Sequence, residues 1–423
     1  LAGRDADTTD TPSRPVARRR VFYIPGYDPF PPRRYRELYR SESAAQAAIS
    51  GYHIALGPAG KSAHFGWQVR AGIEGATTRT DFEVLVWSDL VRDSMSNTIP
   101  ATYAQLLRTA WAYIGSGALW RLMRLRKGPV IAALYPIGML LLQLAVALAL
   151  AYGVAAGLLW GGGLVLPEGA QWLAALIATL VASGALIAVL RWFRARDGRF
   201  FAYYLMHDYA HSARLNGAYP ADLEARLAQF ADRIAEALTE DLGEVLVVGH
   251  SSGAHLGVSV LTDLIRSGRA GEHTPALGFL TLGQVVPMLS FLPEAHRLRG
   301  DLQFLSRRKE LTWVDITAPG DGCSFALCDP VSVSGVSPPD KIWPLVFSAA
   351  FTQTLSPARW KTLRWRFFRL HFQYLCAFDR PRDYDYFRVT AGPLTLAERY
   401  RGRPASRSRI ERAVSKYRTV SAP

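Results

Sequence analysis

Gly249-His250-Ser251-Ser252-Gly253 is the stretch of this 423-residue chain whose residue types and spacing could attack a carbonyl. It follows Val245-Leu246-Val247-Val248, an apolar, β-branched run that reads as a fully buried strand. It precedes Ala254 to Gly257, a helix start built from small residues. A chain that passes directly from a buried strand into a helix must turn sharply, and glycines on both sides of the apex leave room for the turn. Ser251 at the apex then presents its hydroxyl. The N–H of Ser252 points into the same space at a helix N-terminus, where developing negative charge is favoured. The bland alternative is a tight strand-to-helix turn without chemistry. A second candidate is His207-Asp208-Tyr209-Ala210-His211, where two imidazoles four residues apart share one helix face and could hold a metal. It lacks the Glu of H-E-x-x-H and has no companion histidine box, which leaves too few ligands.

With a strand before it and a helix after it, the G-x-S-x-G motif resembles the nucleophile elbow of the α/β-hydrolase superfamily. The resemblance covers roughly 21–127 and 200–398. It implies a mostly parallel sheet flanked by helices, a Ser…Asp…His chain order and no metal or organic cofactor. In that order Ser251 is the nucleophile. Asp321, in the loop after the strand Leu311 to Ile316, is the acid, with Asp315 inside the strand and Asp329 beyond it as rivals. His371, in His371-Phe372-Gln373-Tyr374, is the base. The family's oxyanion hole takes its first N–H from the residue after the nucleophile, here Ser252. The second comes from the loop after an early strand, here Pro25-Gly26-Tyr27, with Pro where the family often has His. By position the donor is Tyr27.

Several elements must position these residues. Val21 to Ile24 reads as a short strand and 33–50 as a helix. Phe82 to Trp87 is a strand, and 100–127 is helical with a basic end. Leu223, Leu227, Phe230, Ile234 and Leu238 recur at helical spacing and lead into the elbow strand. Ala276 to Leu282 is the next strand. Between the early strands and the elbow, Glu168 is the only charged residue from Gly128 to Leu190. Two apolar stretches, about 129–160 and about 171–190, are each long enough to cross a bilayer, which needs ~20 apolar residues. Neither shows the polar face of a soluble helix. A transmembrane hairpin over 128–192, inserted before the nucleophile strand, is the expectation. Arg121, Arg124, Arg126 and Lys127 precede it, and Arg191, Arg194, Arg196 and Arg199 follow it. The positive-inside rule therefore puts both ends on the cytoplasmic side.

Net charge is +14, concentrated in the N-terminal arm, beside the apolar segments and in the last quarter. No nucleic-acid module is visible, so a membrane surface is the expected partner and nucleic acid is not. Three cysteines make no disulfide framework and fit a reducing compartment. Residues 1–20 read as a disordered basic arm rather than a secretory signal. The resemblance implies that residues 21–127 and 193–398 form the two parts of a hydrolase domain. Arg359 to His371, basic and aromatic, suits the headgroup region, as does 200–216. Residues 399–423 read as a loose basic tail. The resemblance and the hairpin together imply a membrane-anchored serine hydrolase acting on a lipid ester or a long-chain acyl thioester. Its rivals are acyl transfer through the same triad and a non-catalytic interaction module. A weaker rival is a metal enzyme using His207 and His211.

Overall fold

The first strand, β1 (Arg18–Ile24), lies at the middle of the sheet. The computed structural model describes residues 15–58, 64–95, 98–271 and 275–421. Most of the expected N-terminal arm lies outside them, and Arg18 to Arg20 belong to β1. The chain then forms α1 (Arg33–Ser50) and runs out to one edge through β2 (His53–Gly57) and β3 (Gly66–Ile73). It returns beside β1 as β4 (Ala76–Val84). The far half is β5 (Glu244–His250), β6 (Ala276–Leu282), β7 (Leu311–Thr317) and β8 (Leu345–Ser348). The order is β2-β3-β4-β1-β5-β6-β7-β8. Strands β4, β1 and β5 to β8 are parallel, and β2 and β3 complete the sheet as an antiparallel edge.

The fold is therefore α/β with a mixed, mostly parallel sheet. The chain leaves β1 toward one edge and β5 toward the other. The two loops diverge and open a crevice at the carboxyl ends of these strands, the place where sheets of this kind hold their ligands. Burial on both faces explains the near-continuous apolar sequence of β5. Val245 and Val247 enter one core and Leu246 and Val248 the other. At the opposite end of the sheet, Arg19 Nε donates to Glu244 Oε2 at 2.6 Å, both side chains fully buried.

Between β4 and β5 come α2 (Ser88–Ser94), α3 (Ile99–Gly115), α4 (Ala118–Leu125), α5 (Lys127–Val165) and α6 (Gln171–Ala195). Then follow α7 (Asp197–Phe200), α8 (Ala202–Ala213) and α9 (Ala221–Leu238). Helices α5 and α6 pack on each other as a hairpin. Both are long and apolar enough to cross a membrane, and only 17% of the most apolar window of each is buried. A helix from a soluble core would be mostly buried. At 1.5 Å per residue, the 39 residues of α5 span about 58 Å, far more than the ~30 Å of a hydrocarbon layer. The surplus is its first half, where Val130 and Leu140 are buried against the α/β body.

Two segments differ from expectation. Helix α8 does not lie on the surface: Tyr203, Leu205, Met206, His207 and Ala210 are buried, and it packs on α3 and α5. The final segment is not loose. Ile410 bridges Leu327 and Asp329, Val333 O accepts from Val414 N–H at 3.0 Å, and Thr419 O accepts from Arg299 at 2.8 Å.

Candidate active site

Ser251 has φ +57°, a left-handed conformation that costs a serine of order 1–3 kcal/mol and persists only where its surroundings enforce it. The enforcement is visible on both sides. A Cβ on Gly253 would sit 2.1 Å from the Ile24 carbonyl oxygen, and one on Gly249 would sit 2.7 Å from Gly253 O. Only bare backbone lets α10 (Gly253–Arg266) start this close beneath the end of β1. Ser252 is buried at the N-terminus of that helix. The Pro25-Gly26-Tyr27 loop abuts the elbow, since a Cβ on Gly26 would be 3.0 Å from Ser251 Cβ and 3.4 Å from its Oγ. The Tyr27 side chain is absorbed by packing. Its ring lies against Trp87, Tyr204 and His211, and its hydroxyl bonds Ser94 at 2.7 Å. Its carbonyl accepts from Tyr204 at 2.6 Å, so α8 helps hold this loop.

Asp321 and His371 come together although 50 residues apart: His371 Nδ1–H donates to Asp321 Oδ2 at 2.8 Å. Tyr374 donates to the same oxygen at 3.0 Å, and the Cys323 N–H donates to Oδ1 at 2.9 Å. Burial works to raise the Asp321 pKa, but the charge and hydrogen bond of His371, with the Cys323 N–H, outweigh it and leave the carboxyl below its usual range. The Ala318 N–H in turn donates to the Tyr374 hydroxyl at 2.9 Å. His371 ends a short helix, Phe367–His371, rather than lying in a long headgroup helix, because the chain breaks after Pro357–Leu363.

The elbow and the Asp–His pair meet through His250 and the end of β6. The rings of His250 and His371 are 4.8 Å apart, and His250 Nε2 donates to the His371 carbonyl at 3.0 Å. Burial, then the charge of His371, pushes His250 down to about 3, so it is a neutral prop. The Ser251 N–H donates to Leu282 O at 2.9 Å, and the next residue, Gly283, would place a Cβ 3.0 Å from His371 Cε1. His371 Nε2 is buried and makes no hydrogen bond, so none joins it to Ser251 in this state. An imidazole with one nitrogen fixed by a carboxylate and the other unengaged can accept a proton, and the neighbour of Ser251, His250, packs on its ring.

The rival acids are placed elsewhere. Asp315 is buried inside β7, hydrogen-bonded to Thr281 at 2.6 Å, and burial raises it to about 8. Asp329 caps a helical turn and pairs with Lys341. His207 and His211 diverge. His207 Nδ1 meets Gln105 at 2.7 Å, while His211 packs on the Tyr27 and Trp87 rings. Among the described residues, the one cluster with metal-ligand spacing is Asp321, Cys323 and His371, whose donor atoms lie within 4.8 Å. Burial, then Asp321 and Asp208, hold the Cys323 thiol well above its ordinary range, and a metal would need the thiolate.

Three residues with no role assigned from sequence complete the arrangement: His250 donates to the His371 carbonyl, Tyr374 donates to Asp321, and Gly283 leaves room for the imidazole edge. His250 lies inside the elbow motif and Tyr374 three residues after His371, so proximity was the available signal. A small cleft beside Ser252 is lined by Tyr27, Trp87, Asp208, His211 and Leu289. Asp208, raised to about 7 by burial, faces it without a role assigned by sequence. Neither protein-family models, nor curated proteins, nor solved structures give a match to this chain.

Proposed function

We propose that the chain is a serine hydrolase of the α/β-hydrolase kind, held at a membrane by α5 and α6. It cleaves an acyl ester of a membrane lipid or a long-chain acyl thioester. The observation that carries this reading is the strained Ser251 on its bare-glycine elbow, whose neighbour His250 packs on a buried Asp321–His371 pair with its second nitrogen unengaged. Ser251 Oγ attacks the carbonyl carbon as His371 Nε2 takes its proton. The N–H groups of Ser252 and Tyr27 hold the oxyanion, a contribution of about 3 kcal/mol per donor. His371 returns the proton to the leaving alcohol or thiol, and water clears the acyl-enzyme by the same steps. Asp321 keeps the proton on Nδ1 and stabilises the imidazolium.

The membrane placement draws on several features. The site loops and the hairpin root are joined: Arg126 Nε donates to Ala326 O at 2.7 Å, and a Cβ on Gly128 would be 3.1 Å from Gly322 O, next to Asp321. Exposed Trp365, Phe367 and Phe368 stand among Arg364, Arg366 and Arg369 just before His371, a composition suited to headgroups. Arginines flank both ends of the hairpin while its turn carries Glu168, which orients the hydrolase body to the cytoplasm. The test is hydrolysis of long-chain p-nitrophenyl esters by the full chain in liposomes, beside Ser251→Ala. Turnover is expected from the first alone. Equal turnover in both would refute the nucleophile, and no turnover in either would favour the non-catalytic reading.

A further inference from the structure

A second, narrow cleft lies between α3, α4 and the first turns of α5. Its walls are apolar, with Leu122, Val130, Ala133 and Ile137 among them. Ile114 and Leu134 line it and are also exposed, at 51% and 39%, so they form its mouth. Around that mouth stand Trp111 and Ile131, exposed at 79% and 61%. Trp111 and Ile114 belong to α3, and Ile131 and Leu134 to the root of the hairpin, where exposed Leu141, Leu142 and Val146 carry the apolar surface of α5 on toward its second half.

The inner end approaches the candidate active site. Tyr209 and Met288 line the apolar cleft, and their chain neighbours Asp208 and Leu289 line the cleft beside Ser252 and Tyr27. The two clefts are thus lined by adjacent residues at two places, 208–209 and 288–289. Tyr113 closes the corner by donating to Met288 O at 3.0 Å. That bond fixes the Met288 backbone and leaves an unbranched, adaptable side chain as the barrier.

We infer that this cleft receives the acyl chain of the ester, entering from the bilayer between Ile114 and Leu134 and reaching Ser251 past Met288. The inference rests on the serine-hydrolase reading above. A narrow apolar slot suits a polymethylene chain and offers nothing to a polar headgroup. Its outer end meets the surface from which such a chain would come, and its inner end meets the carbonyl-binding loops. The headgroup then remains at the basic, aromatic rim near Phe367 while the ester carbonyl lies over Ser251.

Two measurements on the full chain in phosphatidylcholine liposomes test this. The first uses a long-chain ester with a photoreactive diazirine midway along its acyl chain. It is applied to the wild type and to Ser251→Ala, and labelled peptides are mapped by mass spectrometry. Label on α3 and the first turns of α5 is expected in both. Label confined to 146–195, or spread over the body, overturns the cleft. The second compares long- and short-chain p-nitrophenyl esters in Ala133→Trp and, on the opposite wall, Ala110→Phe. The ratio of long- to short-chain kcat/KM should fall at least tenfold in a folded variant. An unchanged ratio in a variant that still hydrolyses esters overturns the cleft and leaves the hydrolase reading standing. Absence of all hydrolysis in the wild type sinks the hydrolase reading, while the labelling pattern still decides the cleft.

Discussion

Asp321→Asn is the most informative single change, because every partner of Asp321 is a donor. Oδ2 accepts from His371 and Tyr374, and Oδ1 from the Cys323 N–H. An amide fits the space but presents one oxygen and one NH2 group. With its oxygen toward His371, the NH2 faces the Cys323 N–H and leaves a buried donor unpaired, at about 1–3 kcal/mol. With its oxygen toward Cys323, the NH2 faces His371 Nδ1, which must then accept. The imidazole proton moves to Nε2, and the nitrogen beside Ser251 can no longer take a proton. The second arrangement pairs the buried N–H, leaves the Tyr374 hydroxyl to turn toward Ser324 Oγ at 3.5 Å, and keeps the wrong tautomer. The expected loss in kcat is about ten-thousandfold, roughly 5.5 kcal/mol of barrier. The assay is p-nitrophenyl ester turnover in detergent, with Asp315→Asn as control. Asp315 has an isosteric amide available and a carboxyl that burial already keeps neutral at pH 7, so its variant should stay within a few-fold of wild type. Near-wild-type activity in Asp321→Asn, or an equal loss in Asp315→Asn, would refute the assignment of the acid.

Four further outcomes are expected. Gly283→Ala places a Cβ 2.7 Å from Tyr374 Cε2 and 3.0 Å from His371 Cε1 at φ +55°; kcat should fall about tenfold to a hundredfold while circular dichroism stays native. Burial raises the folded pKa of Asp315 to about 8. Its contribution to stability is therefore whole below its ordinary carboxyl range and is lost as pH rises toward 8. Wild type should lose about 2 kcal/mol relative to Asp315→Asn between pH 6 and pH 8 in urea titrations, and parallel curves would contradict this. Glu244→Ala strands the buried Arg19 and the Leu396 N–H that Glu244 accepts at 2.6 Å; a loss of about 3–5 kcal/mol should appear in the same titrations. Chelation with EDTA and phenanthroline should leave ester turnover within twofold, and a loss restored by zinc would assign Asp321, Cys323 and His371 to a metal instead.

The parts of the fold legible in the sequence were those with continuous apolar runs or strict helical spacing. Strands β5, β6 and β7, helix α9 and the hairpin have such patterns because each buries or exposes apolar surface along its length. The meander β2 to β4 was legible only at Phe82 to Val84. In β3, Trp67, Val69, Ala71 and Ile73 point inward while Gln68, Arg70 and Gly72 point out, and β4 begins Ala76-Thr77-Thr78-Arg79-Thr80. Alternation over so few residues is easily passed over. The last segment looked loose because its arginines are polar, yet their carbonyl neighbours are what Arg121 and Arg299 hold. At the site, the sharp turn at Ser251 and the meeting of Asp321 with His371 were legible from motif and chain order. Their props, His250 and Gly283, act through tertiary contacts that no local pattern carries.

Fluorophosphonate labelling of the full chain, with the modified residue mapped by mass spectrometry, tests the central claim most directly. A phosphonyl adduct on Ser251 is predicted, abolished in Ser251→Ala and strongly slowed in Asp321→Asn. An adduct on any other residue, or undiminished labelling of Ser251→Ala, contradicts it.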